Sequence, residues 1–295
     1  MLFQFDMRTE NPFADRFAEG WQQKGKSRNG EENAKTSEKA HQTSARSDDA
    51  EKFDKALEIN DLRMFVSLLT SQALIEPFDE PMHPWAEDPK TIGALAGTQL
   101  AILASTVKAE DSNIKDEIRE AGAIGPLIDF LESDQQDRVQ SAVVALSFLT
   151  TDCSDNAQAV HALGGLPLLM QHVETDLTPM RAAILTTCRN MYAESDELCM
   201  NFIKLGGVEV LVRELALSTR DVAKDVADMQ LEAILNILDL IEGVDGKPNE
   251  KYASKFVEAG AIDHLETVYR LSEDEEVKQS ADTALQALGS SRLVE

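Results

Sequence analysis

The sequence is short of several things, and each shortage excludes a class of protein. Only three cysteines occur among 295 residues, Cys153, Cys188 and Cys199. An odd number with no patterned spacing fits neither a disulfide framework nor a zinc site, and it points to a reducing compartment. No run approaches the ~20 apolar residues that a membrane-spanning helix needs, so membrane insertion is not expected. Met1–Phe5 is partly apolar, but Asp6 ends the run too early for a secretion signal. The reading is a cytoplasmic protein, with a nuclear site also open. Alternating apolar and polar runs are missing, so strands are not expected.

Basic residues are also scarce. The chain has 28 Lys and Arg against 53 Asp and Glu, a formal net charge of −25. Residues 1–50 are nearly balanced, so the excess lies in the remainder. Such a body repels phosphate backbones, which excludes nucleic acid as a partner. It attracts basic proteins and speeds their encounter.

Catalytic chemistry is not signalled. The histidines, His41, His83, His161, His172 and His264, show no zinc-protease spacing, and no glycine loop with a lysine cradles phosphate. Residues 239–249 are acidic and contain glycine but lack the calcium-loop order of ligands. No cofactor, metal site or enzyme activity is expected.

What is present is organised in three stretches. Residues 1–50 read as a disordered arm, because residues 22–50 have almost no apolar groups with which to offset ordering entropy. The start of the arm differs. Phe13, Phe17 and Trp21 fall at i, i+4, i+8, on one face of a helix, and suit a segment that docks on a partner or folds back on the body. Residues 51–90 hold one or two helices starting near Asp48, then a loop with Pro77, Pro81, Pro84 and Pro89. Residues 91–290 carry a repeat. Gly122, Gly164, Gly206 and Gly260 stand in similar segments, Glu120–Ile128, Ala162–Leu169, Lys204–Val212 and Glu258–Leu265, at spacings of 42, 42 and 54. A second aligned element lies at Ala145–Leu149, Thr187–Met191 and Ile234–Leu238.

Two landmarks sharing one period predict stacked helical units, none of which can bury its apolar face alone. Each glycine ends a helix and reverses the chain at positive φ. The helix that follows carries apolar pairs such as Leu127 with Leu131, and Leu168 with His172 and Val173. The extra residues of the last spacing read as a loop near residues 242–249, with Val222–Asp228 lengthening the helix before it. Residues 274–288 read as an amphipathic helix pair capping the stack.

On these residues the chain resembles the armadillo-repeat family, whose Gly-Gly-(Ile/Leu/Val)-x-x-Leu step is taken as the entry to the third helix of each unit. The resemblance covers roughly residues 90–290 as four units and a partial cap. It implies an all-α, right-handed α-solenoid that binds protein partners in a groove lined by third helices. Relatives use a ladder of asparagines there. Here Asn190 occupies the ladder slot, Phe148 and Ile237 take the equivalent ones, and Asn236 lies one place off. Arg189, Asn190 and Arg213 are the polar groove candidates, and Asp221, Asp225 and Asp228 form an acidic patch suited to a basic partner. HEAT repeats share the period but not the glycine step. The run Asp155–Leu166 followed by Met180–Ala183 is also similar to the armadillo-type nucleotide-exchange factors of the 70-kDa heat-shock chaperone. The expected function is a non-catalytic scaffold or adaptor that binds through its groove and its N-terminal arm. A nucleotide-exchange co-chaperone is the alternative, and the oligomeric state is open.

Overall fold

The computed structural model describes residues 47–77, 87–105, 113–175, 177–193, 195–216, 223–242 and 249–290. These residues fall into two compact units, one ending at Leu149 and one beginning at Thr150. Among the described residues every regular element is a helix.

The first unit opens with α1 (Asp48–Ile59) and α2 (Leu62–Leu68). Ser47 caps α1 by accepting from the Ala50 amide at 3.2 Å. Asn60 ends it in the left-handed region (φ 52°), and Asp61 at once caps α2 through the Met64 amide at 3.1 Å. Capping side chains satisfy amides that have no partner inside the helix. Phe53 and Phe65 meet edge to face with ring centroids 5.5 Å apart. The proline-rich loop leaves after α2, and its base is a single antiparallel bridge between Leu74 and Thr91. Then α3 (Ile92–Ser105) packs against both α1 and α2, so these three helices form one packed group ahead of the first glycine step. Gly93 makes this packing possible, because a Cβ there would stand 2.5 Å from the Leu69 carbonyl oxygen. The unit continues with α4 (Asn113–Glu120), α5 (Ile124–Leu131) and α6 (Gln136–Thr150).

The second unit holds three triplets: α7 (Ser154–Ala162), α8 (Gly165–Gln171) and α9 (Thr178–Tyr192); α10 (Asp196–Lys204), α11 (Gly207–Leu215) and α12 (Ala223–Glu242); α13 (Glu250–Glu258), α14 (Ala261–Leu271) and α15 (Glu275–Ser290). All four glycines predicted to turn the chain have positive φ, between 76° and 89°. A left-handed residue there lets the next helix start without a linker. At Gly206-Gly207 the second glycine has a separate role: a Cβ on Gly207 would collide with the ring of Phe202. Phe202 is fully buried and packs on Tyr192 with centroids 5.1 Å apart.

Two details differ from the sequence reading. The glycine step leads into the short second helix of each triplet, not the third; the third is the longer helix after one more turn. That turn, as at residues 132–135, follows from polar residues that interrupt the apolar period. Residues 275–290 form one helix, α15, because nothing between Glu275 and Leu288 breaks a helical run. Of the apolar pairs named from sequence, Leu127, Leu131 and Val173 are buried, while Leu168 is half-exposed and the buried residues of α8 include Leu166, Leu169 and Met170. The lengthened helix is as expected: α12 has 20 residues against 15 in α6 and α9. The loop at 243–248 lies outside the described residues.

Candidate functional site

The third helices of the second unit carry most of the predicted groove residues. Met180, Ile184, Cys188, Met191 and Tyr192 form the inward side of α9 and are at most 4 % exposed. Arg189 and Asn190 are adjacent in sequence, so their side chains leave the helix about 100° apart. They go to different partners. Asn190 Nδ2 donates to Thr150 Oγ1 at 3.1 Å and Thr151 Oγ1 at 3.3 Å. Arg189 Nε faces Glu232 Oε1 on α12 at 3.4 Å.

The pair is buried, and Glu232 is further held. Asn236 Nδ2 donates to the Glu232 carbonyl and to Glu232 Oε1, both at 2.8 Å. The Tyr192 hydroxyl donates to Asn236 Oδ1 in a short hydrogen bond. Burial opposes the charge on Arg189, but the carboxylates of Glu232 and Asp239 outweigh it and hold the guanidinium above its ordinary value. Burial pushes the Glu232 carboxyl up, against the pull of Arg189 and of hydrogen bonds from Thr186 and Asn236. A network of this kind orders side chains because each buried polar atom needs its neighbour.

Asn236 corrects the sequence alignment. It meets Tyr192 at the end of α9, as Asn190 meets Thr150 at the end of α6, and Thr150 and Tyr192 are themselves one 42-residue period apart. Asn236, not Ile237, therefore stands in the ladder position, and Ile237 is a core residue at 0 % exposure. The offset is hidden in sequence because the segment between α11 and α12 is longer than its counterparts.

Arg213 on α11 belongs to a different cluster. Its Nη1 donates to both carboxylate oxygens of Glu174, at 2.7 and 2.8 Å. Its Nη2 donates to Glu214 Oε1 at 2.9 Å, while Arg181 Nε donates to Glu214 Oε2 at 3.0 Å. Arg181 also reaches the Thr175 carbonyl at 2.8 Å. One buried carboxylate thus bridges a buried and a half-exposed arginine. Nothing in the sequence pattern marked Glu214 or Glu232; both are single acids among many, and only the fold aims them inward.

Phe13, Phe17, Trp21 and Asp221 lie outside the described residues, as does the side chain of Asp225. Asp228 and Asp239 are half-buried on α12. In the first unit the Glu87 amide donates to Gln140 Oε1 at 2.9 Å and the Lys90 amide to Asp137 Oδ2 at 2.8 Å, so the loop's descending limb is fastened to α6. Among the described residues no three His, Cys, Asp or Glu side chains are grouped to hold a metal ion. No described helix is long and apolar enough to cross a membrane.

No protein-family model matches the chain, and no curated protein does. Solved structures do. The armadillo repeats only protein from Plasmodium falciparum is 37 % identical with a TM-score of 0.73, covering 83 % of this chain and 100 % of that one. A designed armadillo repeat protein is 23 % identical with a TM-score of 0.58, over 81 % of this chain and 86 % of that one. Another, solved in complex with the peptide (KR)4, is 20 % identical with a TM-score of 0.58, over 93 % and 99 % of the two chains. The designed proteins share the fold; the Plasmodium protein shares sequence along its whole length as well. With the four positive-φ glycines and the triplets they punctuate, this places the chain in the armadillo-repeat family, as an all-α repeat protein.

Proposed function

We propose that this chain is a non-catalytic scaffold or adaptor that takes up a basic protein segment on the face formed by its third helices. The observation that carries this reading is the helix triplet repeated at a fixed period, which builds a long surface and not a single pocket. Acid excess supports the choice of partner: outside residues 1–50 the chain carries a net charge of −24. That a designed relative in fold holds the alternating basic peptide (KR)4 supports it too.

In this reading residues 1–50 are an arm, 51–90 an N-terminal helical segment with its loop, and 91–290 the repeat body. Asn190 offers a polar contact on this face, Arg213 stands apart on α11 in its pairs with Glu174 and Glu214, and Arg189 acts from within by fixing α9 against α12. Phe13, Phe17 and Trp21 supply a second, apolar contact. The setting is cytoplasmic or nuclear.

The test is binding of a labelled (Lys-Arg)4 peptide to the full chain, followed by fluorescence anisotropy at low and high salt. Binding that weakens steeply with salt, and that falls in a chain carrying Asp228→Lys and Asp239→Lys, is the expected result. Binding equal in both chains sinks the reading. The 70-kDa chaperone is assayed in parallel: acceleration of its nucleotide release by the chain assigns the exchange-factor role instead.

A further inference from the structure

The front of α6 is covered, and part of the cover is the chain itself. Phe148 takes the ladder slot on this helix. Asp137 stands eleven residues before it, three turns back and only about 20° around the axis. Ser141 and Val144 lie on the same strip between them, with Gln140 on its border. On a helical wheel this strip is opposite the core residues Val139, Ala142 and Leu146, so it is the side that a third helix turns toward a partner. Yet all five residues are at most 4 % exposed.

Ser141 Oγ donates to the Ala94 carbonyl of α3 at 2.9 Å, which accounts for one part of the strip. Residues 87–90, outside any helix, account for another. Their main chain faces α6: the Glu87 and Lys90 amides are the donors to Gln140 and Asp137. Their side chains face solvent, where Lys90 pairs with Glu87 and both are exposed. Pro89 between them is buried. The other polar atoms of the pair, Asp137 Oδ1 and Gln140 Nε2, are shut away as well. A carboxylate and a carboxamide three residues apart on one helix thus hold a segment by its backbone amides alone, as a binding face holds a peptide whatever its side chains. One 42-residue period on, the same positions of α9 are Pro179 and Ala182, which offer no acceptor.

From this geometry we infer that residues 87–90 are a built-in occupant of the α6 face, an autoinhibitory contact that keeps this third helix from a partner's segment. The tether makes the contact durable. The segment runs straight into the Leu74–Thr91 bridge and α3, so its local concentration at α6 exceeds that of any free peptide. The exclusion of a partner rests on the reading of the third-helix faces as the binding surface; the occupancy does not.

The test is amide hydrogen exchange of the full chain, read by mass spectrometry on the fragment that holds Glu87 and Lys90. This fragment should exchange at least ten-fold slower in the protein than as a free synthetic peptide. Asp137→Ala with Gln140→Ala should remove most of that protection. Asp137→Asn with Gln140→Glu, which keeps both acceptors, should retain it, as should Glu87→Ala with Lys90→Ala, which keeps both amides. Exchange as fast in the protein as in the free peptide overturns the occupancy, and so does loss of protection in the chain that keeps both acceptors. Saturating (Lys-Arg)4 should leave the rate unchanged; acceleration means that the peptide displaces the segment, and overturns the exclusion. If (Lys-Arg)4 does not bind, the proposed function fails, while the comparison with the free peptide still decides the occupancy.

Discussion

Arg189 on α9 and Glu232 on α12 form an ion pair inside the protein, 3.4 Å from Nε to Oε1, with each side chain only 5 % exposed. Removing one charge strands the other where water cannot reach it. Arg189→Met or Glu232→Met is expected to lower stability by about 3 kcal/mol, while making both changes together costs less than the two summed. Urea unfolding of the four proteins gives the coupling. Additive losses would show that the pair is no unit.

Glu214 separates two arginines that look alike in sequence. Arg181 is held by its Oε2 in the interior, and the Arg213 side chain beside its Oε1 is 43 % exposed. Arg213→Ala should cost at most about 1 kcal/mol, in the range of exposed pairs. Glu214→Gln, which leaves Arg181 buried without a carboxylate, should cost about 3 kcal/mol. Denaturation midpoints that rank the two variants the other way would refute this assignment.

Three glycines in similar repeat segments should respond differently to alanine. Gly164 has φ 76°, so Gly164→Ala should lose about 1 kcal/mol to backbone strain. Gly207→Ala drives a Cβ into the buried Phe202 ring and should lose roughly 1–3 kcal/mol. Gly125 lies inside α5 with open space where a Cβ would stand, and Gly125→Ala should gain about 0.5 kcal/mol. Thermal melts of the three variants test the set, and uniform losses would contradict it.

The thiols should titrate and react unequally. Cys188 is fully buried, and burial pushes its thiol far up; burial also pushes Cys199 up to about 11 from 9.0. A thiol reagent at pH 8 should therefore label the half-exposed Cys153 first and reach the others only after unfolding. Between pH 9 and 11 the folded state holds a proton on Cys199 that the unfolded chain has lost. The stability from this thiol is thus complete below pH 9 and declines as pH rises toward 11. Cys199→Ala should flatten that part of the urea-midpoint profile; an unchanged slope would show that Cys199 does not contribute.

The fold class, the repeat and its turns are legible in the residues alone. Gly122, Gly164, Gly206 and Gly260 could be found because a left-handed turn demands one residue type, and the apolar period between them spells helix. Helix-internal choices were harder to read. Whether Gly206 opens a second or a third helix depends on where a polar interruption breaks the period, and such an interruption is weak in sequence. Asn236 was misplaced by one position because the segment before α12 is longer than its counterparts, and alignment from the glycines cannot see the helix phase.

What the polar residues do is set by packing between helices. Arg189 and Arg213 are both helix arginines next to polar neighbours, and one is buried while the other reaches solvent. A side chain's role depends on which carboxylate a packed neighbour brings within 3.4 Å, here Glu232, Glu214 and Glu174. Those acids lie 43, 1 and 39 residues away along the chain. Helix periodicity fixes which face a residue takes, but only the stacking of one triplet on the next fixes what that face meets.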